Sequence, residues 1–232
     1  MADVSAVPIV ALDVPDEPRA LALVEGLGDS CGFYKVGSEL FTATGPSIVQ
    51  RLRERGKRVF LDLKFHDIPN TVRAGCRSAA GCGASLVTVH GMGGRVMIEA
   101  AVEGAGEDCG VLAVTVLTSL DSTALSDAMG KFVSGVSDEV SRLAAVARSA
   151  GAHGVVCSGQ EAARIASEQG NGLAILVPGV RLAGDAANDQ RRVVTPFDAA
   201  RAGATYIVLG RTVTAAEIPE AAMAKVLSEL SG

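Results

Sequence analysis

The chain has 232 residues, of which 48% are hydrophobic, 20% charged and 3% aromatic, with no Trp; this is the composition of a globular protein whose core is built from Val, Leu, Ile and Ala. A formal net charge of −5 leaves no basic surplus for a nucleic-acid surface or a broad membrane-binding face, although a local basic pocket for a small anion stays open. No apolar run approaches the ~20 residues of a spanning helix, and MADVSAVPIV at the start lacks the charged-then-apolar order of a signal peptide. Five cysteines with no CxxC pair argue against a disulfide framework and a zinc knuckle and for buried thiols, so the expectation is a cytoplasmic enzyme.

Short β-rich apolar runs recur along the chain, at Ile9–Leu12, Phe33–Val36, Val59–Leu63, Leu86–His90, Val111–Val116, Gly154–Cys157, Ala174–Val177 and Tyr206–Leu209. Alanine-rich segments with helical spacing lie between them, among them Glu17–Gly28, Pro46–Arg55, Ser137–Ala150 and Gln160–Gln169. Strands alternating with helices predict a parallel sheet. Eight such units in this length predict an α/β fold, a closed (β/α)8 TIM barrel in one domain over 1–232, with an open doubly wound sheet as the alternative. The small residues AGCRSAAGCGAS at 74–85 are read as tight helix packing against the barrel.

The charged residues fall at the ends of these runs. Asp13 closes PIVALD, Lys35 closes FYK and His90 closes VTVH. In RVFLDLK, period-two alternation sets Val59, Leu61 and Leu63 on one face and Phe60, Asp62 and Lys64 on the other. The apolar set belongs against the helices, so Asp62 and Lys64 point into the barrel at its C-terminal mouth, where barrel enzymes keep their active sites. Inward charges left unpaired would cost several kcal/mol; alternating Lys and Asp neutralise one another. A purely structural ion-pair network remains the alternative.

A second cluster, YIVLGRTVT, ends the eighth run. Gly210 lets a ligand approach the backbone, and Arg211 offers a planar fork for an oxyanion. The preceding loop, PGVRLAGDAANDQRR at 178–192, is long and rich in small polar residues; it reads as a lid over a bound phosphate or as an ordinary surface loop. His66 reads as a loop or interface residue, His153 as surface and Cys157 as core. A metal site from Asp62, His66 and Asp67 has no recognised ligand spacing and would include Lys64 among its donors, so no metal is expected.

DLKFHDIPNT at 62–71 resembles the D-x-K-x-x-D-I-P-N-T signature of the orotidine 5′-monophosphate decarboxylases. Supporting matches are ALDV at 11–14, YKVG at 34–37, LTS at 117–119, PGVR at 178–181, DQRR at 189–192 and VLGRTVT at 208–214. The resemblance implies a cofactor-free enzyme of pyrimidine biosynthesis that converts orotidine 5′-monophosphate to UMP and CO2 on a barrel that forms homodimers. It implies Lys64 as proton donor to C6 of the pyrimidine, Asp62 against the substrate carboxylate, and Lys35 and Asp67 completing the charge array. Asp67 and Thr71 would serve the partner subunit's site. Asp13 and Lys35 would hold the ribose, Thr118 the base, and Arg181, Gln190, Gly210 and Arg211 the phosphate. Two other readings stay in view. One is the related Mg²⁺-dependent barrels acting on sugar phosphates (3-keto-gulonate-phosphate decarboxylases and hexulose-phosphate synthases), which Lys35 disfavours because it would repel the cation. The other is a catalytically silent phosphate-binding barrel.

Overall fold

A computed structural model describes residues 6–183 and 194–231. The eight apolar runs become strands β1 (Val7–Ala11), β2 (Phe33–Gly37), β3 (Arg58–Phe65), β4 (Leu86–His90), β5 (Gly110–Val114), β6 (Gly154–Val156), β7 (Ala174–Val180) and β8 (Tyr206–Leu209). Each pairs in parallel with the next, and β8 returns to β1 through Val7–Tyr206 to Val10–Leu209, closing the barrel in the order of the chain. The closed barrel is the expected fold; the open sheet is excluded.

The helices among the described residues are α1 (Glu17–Leu27), α2 (Ser38–Thr44), α3 (Ser47–Glu54), α4 (Pro69–Gly81), α5 (Gly94–Ala105), α6 (Ser122–Met129), α7 (Val136–Ser149), α8 (Gly159–Gln169), α9 (Pro196–Arg201), α10 (Arg211–Thr214) and α11 (Pro219–Leu230). Local chemistry sets several starts. Asp16 accepts from the Arg19 amide at 2.9 Å, and Asp121 from that of Ala124 at 2.9 Å, satisfying amides that a first helical turn leaves open. Pro69 begins α4 at the position where a missing N–H costs nothing, and it holds Ile68 extended (φ −57°, ψ 149°). The segment DIPNT therefore has a structural job, turning a strand into a helix, besides any chemistry. None of the described helices is long and apolar enough to cross a membrane.

Alternation sorts the strand residues into two cores. Ile9, Ala11, Phe33, Phe60, Leu86, Leu112, Leu176, Tyr206 and Val208 fill the barrel interior. Their neighbours Val10, Tyr34, Val59, Leu61, Val87, Val111, Val155 and Ile207 face outward into the larger core shared with the helices. The interior is packed toward the strand starts, where Phe33 and Tyr206 meet edge to face with centroids 6.3 Å apart. This closes the floor of the barrel beneath the space at its C-terminal mouth.

Outside the barrel, the small residues of α4 and α5 allow close approach, as their composition predicts. A Cβ on Gly104 would lie 2.2 Å from the Arg73 carbonyl oxygen. Gly104→Ala gains about 1 kcal/mol of helix propensity but must push a backbone carbonyl aside, which costs more. The expected net loss is about 1–2 kcal/mol, read as a lower urea midpoint; an unchanged or higher midpoint would show that the two helices can separate freely.

Candidate active site

The mouth of the barrel holds four charged side chains in an unbroken chain of alternating sign. Lys35 Nζ donates to Asp13 Oδ1 at 2.7 Å and lies 3.8 Å from Asp62 Oδ2. Lys64 Nζ donates to both carboxylate oxygens of Asp62 at 2.9 Å. Asp62 and Lys35 are largely withdrawn from solvent, with side-chain exposures of 13% and 12%, while Lys64 keeps 37% and faces the opening. Strand register makes this possible. Ala11 pairs with Lys35, Lys35 with Phe60 and Gly37 with Asp62, so the three strands present their charges at adjoining levels. Gly37 leaves them room, since a Cβ would sit 3.0 Å from Lys35 Nζ and 3.1 Å from Asp13 Oδ1 and press on both.

Simple alternation does not account for Lys64. The β3–β4 pairing shifts register between Leu61 and Phe65, and Lys64 takes φ +52°, alone among the described non-glycine residues in having a positive φ. Such a conformation costs on the order of 1–3 kcal/mol and persists only where the surroundings enforce it. Here the Lys64 amide donates to Thr88 Oγ1 at 2.9 Å, and Thr88 in turn donates to Asp62 Oδ1 at 2.9 Å. Lys64 thus reaches the mouth through a break in the ladder that no residue in DLKFHD announces.

These residues open into a cavity of about 460 Å³. Of the residues expected at the site, Asp13, Lys35, Asp62, Lys64, Thr118, Arg181, Gly210 and Arg211 line it. Arg181 is buried immediately after β7, and Arg211 is exposed at the start of α10. Phe60, Val114, Val156, Leu176 and Val208 supply apolar walls. Of these walls, Phe60 is the one that alternation in RVFLDLK sets on the inner face; the same alternation on β5, β6 and β7 marks Val114, Val156 and Leu176, which pair across the strands. Thr214 also lines the cavity; it ends the VLGRTVT match at 208–214, which assigns it no role of its own.

Asp67 and Thr71 do not line this cavity. Both are exposed, and Asp67 Oδ1 accepts from the adjacent Ile68 amide at 2.6 Å. The expected loop at 178–192 begins later than the sequence suggests, because Pro178, Gly179 and Val180 extend β7; Gln190 and the greater part of that segment lie outside the described residues. No three His, Cys, Asp or Glu side chains among the described residues are grouped so as to hold a metal ion. His66 is exposed, its ring 5.4 Å from that of His90; Cys157 is buried, as are Cys31, Cys76 and Cys109. Burial pushes the Cys109 thiol up to about 11, as befits an inert core residue.

Burial holds the His90 imidazole below its ordinary 6.5, aided by positive charge from His66 and Lys64 and opposed by Asp62. The unfolded chain therefore takes up this proton at a higher pH than the folded chain. The contribution to stability is complete above about 6.5 and is lost as pH falls below it. His90→Gln should flatten the decline in denaturation midpoint between pH 7 and pH 5; an identical slope in wild type and variant would remove His90 as a source of it.

The chain is similar to known proteins over nearly its whole length. The model of the "Orotidine 5'-phosphate decarboxylase / HUMPS family" matches residues 7–226. The orotidine 5′-phosphate decarboxylase of Alkalilimnicola ehrlichii is 50% identical over 227 residues, covering 96% of this chain and 95% of that protein. That of Halorhodospira halophila is 48% identical over 226 residues, covering 96% of this chain and 95% of that protein. The crystal structure of orotidine 5′-phosphate decarboxylase from Lactobacillus acidophilus superposes with a TM-score of 0.87 at 36% identity, covering 98% of this chain and 100% of that one. With its closed eight-stranded barrel and a charged mouth built on β1 to β3, the chain belongs to the orotidine 5′-phosphate decarboxylase / HUMPS family.

Proposed function

We propose that this protein is an orotidine 5′-phosphate decarboxylase, converting orotidine 5′-monophosphate to UMP and CO2 in pyrimidine biosynthesis. The observation that carries the reading is the Asp13–Lys35–Asp62–Lys64 chain in a cavity that also holds Arg181, Gly210 and Arg211. Loss of CO2 breaks the bond from C6 to the carboxylate carbon and leaves the electron pair on C6. An ammonium already oriented toward that carbon stabilises the charge as it develops and then delivers the proton. Lys64 is proposed for that role, with Asp62 holding the ammonium and standing beside the substrate carboxylate.

Asp13 and Lys35 are assigned to the ribose hydroxyls and Thr118 to the base. Arg181, Gly210, Arg211 and Gln190 are assigned to the phosphate. Phosphate binding at a distance from C6 supplies energy that can be used to organise the reacting end. The chemistry proposed needs no metal or organic cofactor, because the electrostatic work falls to fixed side chains. Lys35 stands on β2, ion-paired to Asp13, and a cation there opposes the Mg²⁺-dependent sugar-phosphate alternative. The intact charge chain disfavours a silent phosphate-binding barrel.

A homodimer with shared sites is also proposed. Asp67 and Thr71 sit outside their own cavity. Ile68, Met92 and Val96, at the starts of the adjacent helices α4 and α5 or just before them, are 67%, 40% and 66% exposed, an apolar group that a second subunit would cover. The formal charge of −5 gives no support to a nucleic-acid partner. All five cysteines are free, which suits a cytoplasmic location.

The direct test follows the fall in ultraviolet absorbance of orotidine 5′-monophosphate with purified protein in excess EDTA. Wild type should turn over, and Lys64→Ala should lose at least about a thousandfold in kcat while keeping its fold. No turnover by wild type, or near-normal turnover by the variant, would overturn the respective assignment. Mixing Asp67→Ala with Lys64→Ala subunits should restore activity, because each hybrid dimer contains one whole site. Persistent inactivity after demonstrated subunit exchange would refute the shared site.

A further inference from the structure

Thr88 lies midway along β4 on the inward face and is 0% exposed. Nothing in the family signature at 62–71 includes it, and it does not line the cavity. Its hydroxyl nevertheless joins the two groups on which the proposed chemistry depends. The Lys64 amide donates to Thr88 Oγ1, and Thr88 Oγ1 donates to Asp62 Oδ1, each at 2.9 Å. Asp62 Oδ1 accepts in turn from Lys64 Nζ at 2.9 Å. The contacts form a closed ring: Lys64 amide, Thr88 hydroxyl, Asp62 carboxylate, Lys64 ammonium.

We propose that Thr88 is a positioning residue for the decarboxylation, holding the backbone and the charged end of Lys64 in one geometry through Asp62. This rests on the decarboxylase reading above. The hydroxyl has one proton. Because its oxygen receives the Lys64 amide, its own proton is directed at the carboxylate, so each contact orients the other. The site of this exchange is where the β3–β4 ladder changes register; there the Lys64 amide finds a side chain where a regular ladder would offer a carbonyl. The left-handed backbone at Lys64, φ +52°, needs such an anchor, since a lysine has no intrinsic preference for that region. Without the hydroxyl, Asp62 keeps its two lysines but loses the bond that sets its rotation, and the ammonium it carries moves with it.

The role demands a group that accepts and donates at one atom, which separates it from packing. Thr88→Val preserves shape and removes both bonds. Thr88→Ser loses a methyl and keeps both. With folding checked by circular dichroism and thermal midpoint, Thr88→Val should lower kcat by about 100-fold, the scale of a small misplacement of a reacting group, with KM changing far less. Thr88→Ser should stay near wild type. If Thr88→Val fails to fold, Thr88→Ser is compared with Thr88→Ala, which share the lost methyl, and Ser should exceed Ala in kcat by a similar factor. Equal kcat for hydroxyl-bearing and hydroxyl-lacking folded variants would overturn the proposal. Amide hydrogen exchange at Lys64, followed by nuclear magnetic resonance, is independent of turnover. Protection in wild type and Ser, with faster exchange in Val or Ala, is expected; equal exchange overturns the anchor. Wild type that exchanges as expected but leaves orotidine 5′-monophosphate untouched would sink the decarboxylase reading and leave the anchor standing as a structural fact without that reaction to serve.

Discussion

Everything at the mouth of this barrel depends on Asp62, a largely buried carboxylate that must be neutralised where it sits. A charge removed from water costs several kcal/mol unless its partners replace the lost solvation. Asp62 has Lys64 on both oxygens, Lys35 within 3.8 Å and the Thr88 hydroxyl at 2.9 Å. Lys35 is in turn tied to Asp13. Each charge is flanked by its opposite, so the array is stable as a unit and disturbed by loss of any member. The same arrangement aims an ammonium into a cavity with apolar walls, where a fixed charge acts more strongly than it would in water.

The fold serves this arrangement in two ways. Barrel closure brings β8 beside β1, so Gly210 and Arg211 arrive next to the strand whose end carries Asp13. Packing in the lower barrel, by Phe33, Phe60, Leu86 and Tyr206, fills the floor beneath the charged mouth. The backbone at Lys64 then departs from ideal strand geometry where the charges meet. Strain of this kind survives only when neighbouring contacts over-determine it, and the Thr88 and Asp62 contacts supply that determination.

Much of this was legible in the order of residues. Eight apolar runs with helical segments between them pointed to the barrel, and the alternation in RVFLDLK put Asp62 with Phe60 on the inner face. Helices α2 and α6 carry no strong periodicity; they are seven and eight residues long and each buries one side chain, Leu40 and Leu125, so neither has the repeating apolar positions by which a helix is read from sequence. The sequence likewise held no sign that Lys64 would leave the regular strand, because alternation assumes an unbroken ladder. Thr88 carries no mark either, being one threonine between the valines of LVTVH.

What the sequence determined by itself is chemical and periodic: which residues carry charge, which face of each strand is apolar, and where proline or an N-capping aspartate turns the chain. What only the tertiary structure decided is coincidence in space. Asp13, Lys35 and Asp62 are 22 and 27 residues apart in sequence, and strand register alone makes them neighbours. Thr88 meets Asp62 across 26 residues, and Asp67 and Thr71, within nine residues of Asp62 in the sequence, turn away from its cavity because Pro69 begins a helix there. Local sequence sets side-chain type and backbone preference. The distance between two charges is set by how the strands close, a property of the whole barrel.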